Sequence, residues 1–241
     1  MQAVILAGGL GSRLGPITRE IPKPMVPIAG APYLDHQLKL LRRQHISDIL
    51  LLTGYLGDQI ESYFGSGDGR GLSIRYSHER YPLGTGGALL QAANMLEEAF
   101  VLIYGDSFLP IAYAETLSEL EKTGASGVVV VCDNRVIETG VPANIAVDSQ
   151  GFVVRYEKDT AGHPELSFVD AGVLALRRDV IDLIPQGPVS LEKQVFPKLV
   201  ERRKLVSYIT SQRFYDIGTP ERLRLIESFF LHDYYSHSIS N

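Results

Sequence analysis

Five short, largely apolar runs mark the first half of the chain: Ala3–Leu6, Asp48–Thr53, Leu72–Ser77, Phe100–Tyr104 and Gly127–Cys132. Segments with helical periodicity separate them: Tyr33–Gln44, Gly57–Phe64, Thr85–Leu96 and Tyr113–Lys122. In the first of these, Pro32 suits a helix start, and Leu34, Leu38 and Leu41 fall on one face. Strands without a polar face must be covered on both sides, and strands alternating with helices connect as parallel crossovers. The pattern predicts an α/β fold, a mostly parallel sheet between two layers of helices.

The rhythm changes after Asp133. Asn144–Asp148 and Phe152–Glu157 flank Ser149-Gln150-Gly151 and predict a hairpin, with a further strand at Phe168–Leu176. Helices are expected at Arg178–Ile184 and Leu191–Lys204, the second interrupted or kinked at Pro197, then a strand at Val206–Thr210. Thr219-Pro220, a cap followed by proline, opens a last helix running to about Leu231. The polar and aromatic tail His232–Asn241 reads as frayed. Phe229-Phe230 reads either as core or as a dimer face.

The first apolar run stops at Ala7 on Gly8-Gly9-Leu10-Gly11-Ser12-Arg13-Leu14, with Pro22-Lys23-Pro24 further on. Without a Cβ the chain turns sharply and aims N–H groups at an anion, and Arg13 and Lys23 add two cations. Glycines alone would read as a turn after a buried strand; with the cations attached the loop reads as a triphosphate cradle. It is neither a P-loop, lacking the Gly-Lys-Ser/Thr, nor a dinucleotide fingerprint, lacking the third glycine that opens a helix.

Composition excludes several alternatives. A net charge of −5 without a long basic block argues against nucleic acid. The one cysteine, Cys132, ends an apolar run and reads as a buried thiol, and six scattered histidines lack the spacing of a zinc site. No basic leader and no stretch of membrane-spanning length appear, so a cytoplasmic protein is expected.

Acidic residues stand at two informative places. Asp106 follows the fourth run through Gly105, where open α/β sheets bind ligands, although a helix cap fits equally well. Asp216 precedes Ile217-Gly218-Thr219-Pro220 and reads alone as an Asx-turn. Two such carboxylates converging on a triphosphate suit Mg²⁺, which takes one or two protein carboxylates plus phosphate oxygens. Glu157-Lys158 alone is an ordinary strand edge, and Asp170 alone a turn former. In Leu83-Gly84-Thr85-Gly86-Gly87-Ala88, just before a helix, glycines would let a base and ribose approach the backbone.

The stretch GGLGSRLGPITREIPKPMVPIAG resembles the opening signature of the sugar-1-phosphate nucleotidylyltransferases, G-x-G-T/S-R-L-x-P-L/I-T-x-x-x-P-K-P. The resemblance runs to about Leu231. It implies a Rossmann-like, three-layer fold with a small antiparallel sugar-binding lobe. Residues 1–231 would form one domain, with a nucleotide half to about 132 and a sugar half from 133. No hexapeptide repeat follows, so the chain would be the minimal catalytic unit. The implied reaction joins an NTP to a sugar 1-phosphate, releasing pyrophosphate, with Mg²⁺ on Asp106 and Asp216. Nucleotide contacts would come from Ala7, Gly8, Gly9, Gly11, Ser12, Arg13, Lys23, Glu79, Gly84 and Thr85. Tyr104, Asn144, Glu157, Lys158, Asp170 and Gly172 would face the sugar phosphate, with Lys158 on its phosphate and Glu157 on hydroxyls.

Two departures bear on the sugar. Tyr104 stands where the family usually has Asn or Leu, and Pro142-Ala143-Asn144 replaces a Tyr-Gly, adding a methyl that would narrow the sugar site. Glu79 stands where several pyrimidine-using relatives have Gln. Guanine's donor–donor edge suits an acceptor-only carboxylate, and a mismatch would cost roughly 1–3 kcal/mol. GTP with a mannose- or heptose-type 1-phosphate is therefore expected. The alternative is UTP with an N-acetylhexosamine or N-acetylmuramate 1-phosphate, since Leu56–Ser77 also resembles that subgroup. A non-catalytic sensing subunit would have shed charged positions that are all present here. A glycosyltransferase would need an Asp-x-Asp motif that Asp106-Ser107-Phe108 does not supply.

Overall fold

The structure, a computed structural model, describes residues 1–158 and 163–234; the rest of the expected tail lies outside them. Its frame is a nine-stranded sheet. In chain order the strands are β1 (Gln2–Ala7), β2 (Asp48–Thr53), β3 (Ser73–His78), β4 (Ala99–Tyr104), β5 (Gly127–Asp133), β6 (Ile145–Val147), β7 (Val153–Tyr156), β8 (Phe168–Arg177) and β9 (Leu205–Thr210). The α-helices that cover it are α1 (Tyr33–Arg43), α2 (Gly57–Phe64), α3 (Gly84–Gln91), α4 (Tyr113–Thr123), α5 (Phe196–Glu201) and α6 (Pro220–Phe229).

The order along the sheet is β7-β6-β8-β4-β1-β2-β3, with β5 beside β8 and β9 beside β5. β3, β2, β1 and β4 are mutually parallel. β8 runs against β4, β5 and β6, β9 follows β5, and β7 opposes β6. Only β7 and β8 therefore oppose the rest, in line with the mostly parallel expectation. The antiparallel part expected after Asp133 continues this main sheet. Two short antiparallel pairs stand off it, Pro27–Ile28 with Ala31–Pro32 and Ser107–Phe108 with Tyr215–Asp216.

Side chains of β1 alternate between the two faces. Ala3 and Ile5 join a core with Leu34, Leu38 and Leu41 of α1, Ile60 of α2, Tyr113 of α4 and Ile226 of α6. Val4 joins the opposite core with Leu89 of α3 and Phe196 and Leu199 of α5. The three layers follow from strands that are apolar on both faces. Phe230 is fully buried, stacked on His36 and edge-on to Phe108, so of the two readings of Phe229-Phe230 the core one holds for Phe230. Cys132 is fully buried as expected. Among the described residues no helix is long and apolar enough to cross a membrane.

Three helical expectations need correction. Arg178–Leu183 is a 3₁₀ segment rather than an α-helix. The helix expected over Thr85–Leu96 ends at Gln91 and gives way to a 3₁₀ turn, Ala93–Met95. The helix expected over Leu191–Lys204 is a widened π turn, Leu191–Val195, followed by α5. Pro197 lacks the N–H that a regular helix through this point would use. α5 then stops because Arg203 adopts a left-handed φ of 50°, while the Lys204 N–H caps the Leu199 carbonyl at 2.8 Å. That terminator is normally glycine, so no residue signal announced it. Thr219 caps α6 as expected, its hydroxyl accepting from the Arg222 N–H.

β1 lies between β2 and β4, so the chain leaves its carboxyl end toward one side of the sheet while β4 closes the other. This is the switch point at which such sheets bind ligands. Gly105 sits in the junction, its N–H donating to the Leu6 carbonyl at 3.0 Å. A Cβ there would lie 2.4 Å from that oxygen. Gly105→Ala is expected to destabilise the protein by about 2 kcal/mol, roughly 5 °C in melting temperature. Thermal denaturation checks this; a wild-type melting point would show that the junction yields.

Candidate active site

A cavity of about 420 Å³ opens at the carboxyl ends of β1 and β4. Its walls include Ala7, Gly8, Gly9, Gly11, Ser12 and Arg13 from the first loop, with Lys23, Glu79, Gly84, Thr85, Tyr104, Asp106 and Lys158. Every nucleotide residue expected from the sequence therefore faces one space. Arg13 is exposed at the loop, whereas Lys23 is nearly buried and pairs with Asp106 at 2.5 Å. Burial would push the Asp106 carboxyl up, but Lys23 and then Arg13 outweigh it and hold it below the usual carboxylate range.

Asp216 is brought close by the short strand pair, in which it faces Ser107 while the Ile217 N–H donates to the Asp106 carbonyl at 3.0 Å. Its carboxylate is gripped by Arg222, at 3.1 Å to Oδ1 and 3.0 Å to Oδ2, and Oδ1 also accepts the Gly218 N–H at 2.7 Å. Gly218 lines the cavity; Asp216, two residues earlier, is not among the lining residues. Among the described residues no group of three or more His, Cys, Asp or Glu side chains is arranged to hold a metal ion unaided. A cation here would rely on two carboxylates and on oxygens brought by the ligand.

Elsewhere in the wall, Glu79 is half-buried, with Oε2 accepting the Leu83 N–H at 3.0 Å. Burial raises its carboxyl above the usual range, partly offset by that hydrogen bond. The glycines after Leu83 also serve packing. Gly84 has a φ of 71°, and a Cβ on it would lie 2.5 Å from the Val189 carbonyl oxygen, while Gly86 would meet the Val189 side chain. They pack α3 against the 187–189 segment, and Gly84 also lines the cavity.

The expected sugar residues divide. Tyr104 and Lys158 line the cavity; Asn144, Glu157, Asp170 and Gly172 are not among its lining residues. Asn144 Oδ1 instead accepts the Asp170 N–H at 3.0 Å, and Asp170 accepts the Gly172 N–H at 2.8 Å and the Tyr156 hydroxyl at 2.5 Å. These bonds brace a bulge in β8, where Gly172 presses on Ser107. Glu157 pairs with Arg155 at 3.3 Å. Ala143, expected to narrow the sugar site, packs against the hydrophobic core.

Two residues of the site were not anticipated. Gln37 on α1 donates to the Tyr104 and Ser107 carbonyls at 3.1 and 2.7 Å, clamping the backbone on both sides of Gly105-Asp106. Its signal was a polar residue beside Leu34, Leu38 and Leu41 on the apolar face. Glu192 lies in the cavity wall and binds Lys158 at 2.6 Å. An acidic residue in a first helical turn needs no site to explain it, which is why it passed unnoticed. Burial would raise its carboxyl, but Lys158 chiefly, with Ser190, holds it low.

A family model described as nucleotidyl transferase matches residues 2–232. The chain belongs to the nucleotidyl transferase family. A Mycobacterium tuberculosis protein named mannose-1-phosphate guanylyltransferase is 34% identical over 227 residues, 92% of this nucleotidyltransferase but only 62% of that protein. A Campylobacter jejuni protein named D-glycero-alpha-D-manno-heptose 1-phosphate guanylyltransferase is 30% identical over 242 residues, 100% of both chains. The crystal structure of HddC from Yersinia pseudotuberculosis complexed with GMP-PN matches with a TM-score of 0.79 at 26% identity, covering 95% of this chain and 99% of that one.

Burial pushes the Asp170 carboxyl up to about 6, against the pull of Tyr156 and Gly172. Between about pH 4 and 6 the folded nucleotidyltransferase then keeps a proton that the unfolded chain has released, so this group lowers stability as pH rises through that window. Asp170→Asn is expected to remove this loss. In urea unfolding, the variant's midpoint should gain on wild type from pH 4 to 6 and hold a constant difference above. A pH-independent difference would contradict the raised carboxyl.

Proposed function

We propose that this nucleotidyltransferase acts on a sugar 1-phosphate, using GTP and a mannose- or heptose-type substrate. The observation that carries the reading is the cavity itself, where a glycine loop, Arg13, Lys23, Asp106 and Lys158 converge at the switch point. The names of the Mycobacterium and Campylobacter relatives support the base and the sugar class. So does the half-buried Glu79, whose acceptor-only carboxylate suits guanine's donor edge.

In this reading an oxygen of the sugar phosphate attacks the α-phosphorus of the nucleotide. That P–O bond forms as the bond to the β-phosphate oxygen breaks, and pyrophosphate leaves with the electron pair. The reaction needs no covalent intermediate, so the protein's part is alignment and charge neutralisation. Arg13 binds the β,γ-phosphates, Lys23 the α-phosphate region and Lys158 the incoming phosphate monoester. The backbone N–H groups of Gly8–Gly11 face the triphosphate, and Tyr104 forms the wall between the two substrates.

Asp106 and Asp216 are the residues for a divalent cation, Mg²⁺ in this proposal. They fit: both are hard oxygen donors on adjacent backbone, each already faces a positive partner, and Asp106 is held ionised. When bound, the cation neutralises phosphate charge as it builds up.

The test is pyrophosphate release with Mg²⁺ over a grid of NTPs against mannose, heptose, glucose and N-acetylhexosamine 1-phosphates. Turnover is expected in the GTP row; turnover with UTP alone would refute the Glu79 argument while keeping the reaction class. Asp106→Asn and Asp216→Asn are each expected to lower kcat at least a hundredfold while melting cooperatively, and chelation should abolish turnover. Near-normal activity in either variant would remove that carboxylate from the metal site.

A further inference from the structure

Glu192 does more in the cavity wall than line it. Oε1 pairs with Lys158 Nζ at 2.6 Å, while Oε2 accepts the Thr85 hydroxyl at 2.8 Å and the Ser190 hydroxyl at 2.6 Å. Three separate parts of the chain thus meet on one carboxylate whose side chain is 2% exposed.

Two of those parts already form a rigid unit. The Val189 N–H donates to the Leu83 carbonyl at 2.7 Å, the Gly86 N–H to the Val189 carbonyl at 2.8 Å, and the Leu191 N–H to Thr85 Oγ1 at 2.9 Å. The start of α3, on the nucleotide side of the cavity, is therefore stitched to residues 189–192. Lys158 stands outside this unit. It follows β7 on a bend, its side chain is 40% exposed, and its one ion pair among the described residues is with Glu192.

We infer that Glu192 is a positioning residue that fixes the Lys158 ammonium to the nucleotide-bearing unit, so that the lysine receives the second substrate at a set distance from the first. The inference rests on Lys158 binding the sugar phosphate. A free lysine side chain samples many rotamers, so without the pair a bound phosphate would take up several positions, only some of them in line for attack. Glu192 itself cannot bind phosphate, because an ionised carboxylate has no donor and repels the anion. Its presence beside an anion site is explained by alignment rather than affinity. Removing its charge should therefore lower kcat without weakening sugar-phosphate binding.

The experiment has two readouts. In the first, Lys158 acetylation by acetic anhydride is followed by mass spectrometry in wild type and Glu192→Gln. Lys158 should label several-fold faster in the variant while Lys23 labels as before; equal labelling would overturn the inference whether or not the protein turns over. The second is a kinetic cycle of Glu192→Gln, Lys158→Ala and the double variant. Glu192→Gln alone should lower kcat about tenfold or more, with the sugar 1-phosphate KM unchanged or lower and the GTP KM within about twofold. In the Lys158→Ala background the same change should cost nothing or partly restore the rate, since it removes an unpaired negative charge. An equal loss in both backgrounds, or a parallel rise of both KM values, would assign Glu192 a structural role. Ser190→Ala leaves the charge and removes one hydrogen bond, and should show the same pattern at smaller size if Glu192→Gln does not fold. Wild-type turnover separately tests the proposed reaction, so either idea can fail alone.

Discussion

The contact between Gly105 and the Leu6 carbonyl governs the site. It places the ends of β1 and β4 side by side, so that the glycine loop after one and Asp106 after the other open on the same space. Any side chain at Gly105 would part them, since a Cβ would lie 2.4 Å from the oxygen. Gln37 then holds the chain on both sides of Gly105-Asp106 by two backbone carbonyls, and the 107–108/215–216 strand pair sets Asp216 opposite Ser107. Hydrogen bonds between main-chain segments thus carry the positioning, and the charged side chains are mounted on them.

Charge in the pocket and in the 216–222 segment beside Gly218 is organised in opposed pairs. Lys23 faces Asp106, Lys158 faces Glu192, and Arg222 faces Asp216. Buried or half-buried pairs of this kind add little net stability, because desolvation offsets most of the attraction. What they supply is preorganisation: cations held in place before an anionic substrate arrives need not reorganise when it does. In the proposed reaction phosphate oxygens would meet Lys23 and Lys158 already in place, and Asp106 and Asp216 would hold the divalent cation.

Much of this was legible in the residues. The apolar runs located the strands to within one or two positions because strands buried on both faces admit few polar residues. The glycine loop with Arg13 and Lys23 marked the pocket because only a close backbone approach explains glycines and cations at a strand end. The expected sugar residues, from Asn144 to Gly172, divide between the cavity wall and the frame behind it. Lys158 reaches the cavity, but Asn144, Asp170 and Gly172 are occupied in supporting the β8 bulge. Glu192 and Gln37 were missed because each is ordinary where it stands, an acid in a first helical turn and a glutamine on a helix.

By itself, then, the sequence determined the three-layer sheet, the glycine loop after its first strand and the carboxylates at the strand ends. Those depend on patterns confined to a few neighbouring residues. Only the tertiary structure decided which side chains share the cavity wall, that Glu192 meets Lys158 and that Gln37 holds the Tyr104 and Ser107 carbonyls on either side of Asp106. Such contacts join residues 34 and 67–70 positions apart, and their geometry comes from sheet order and packing, which no local spacing encodes.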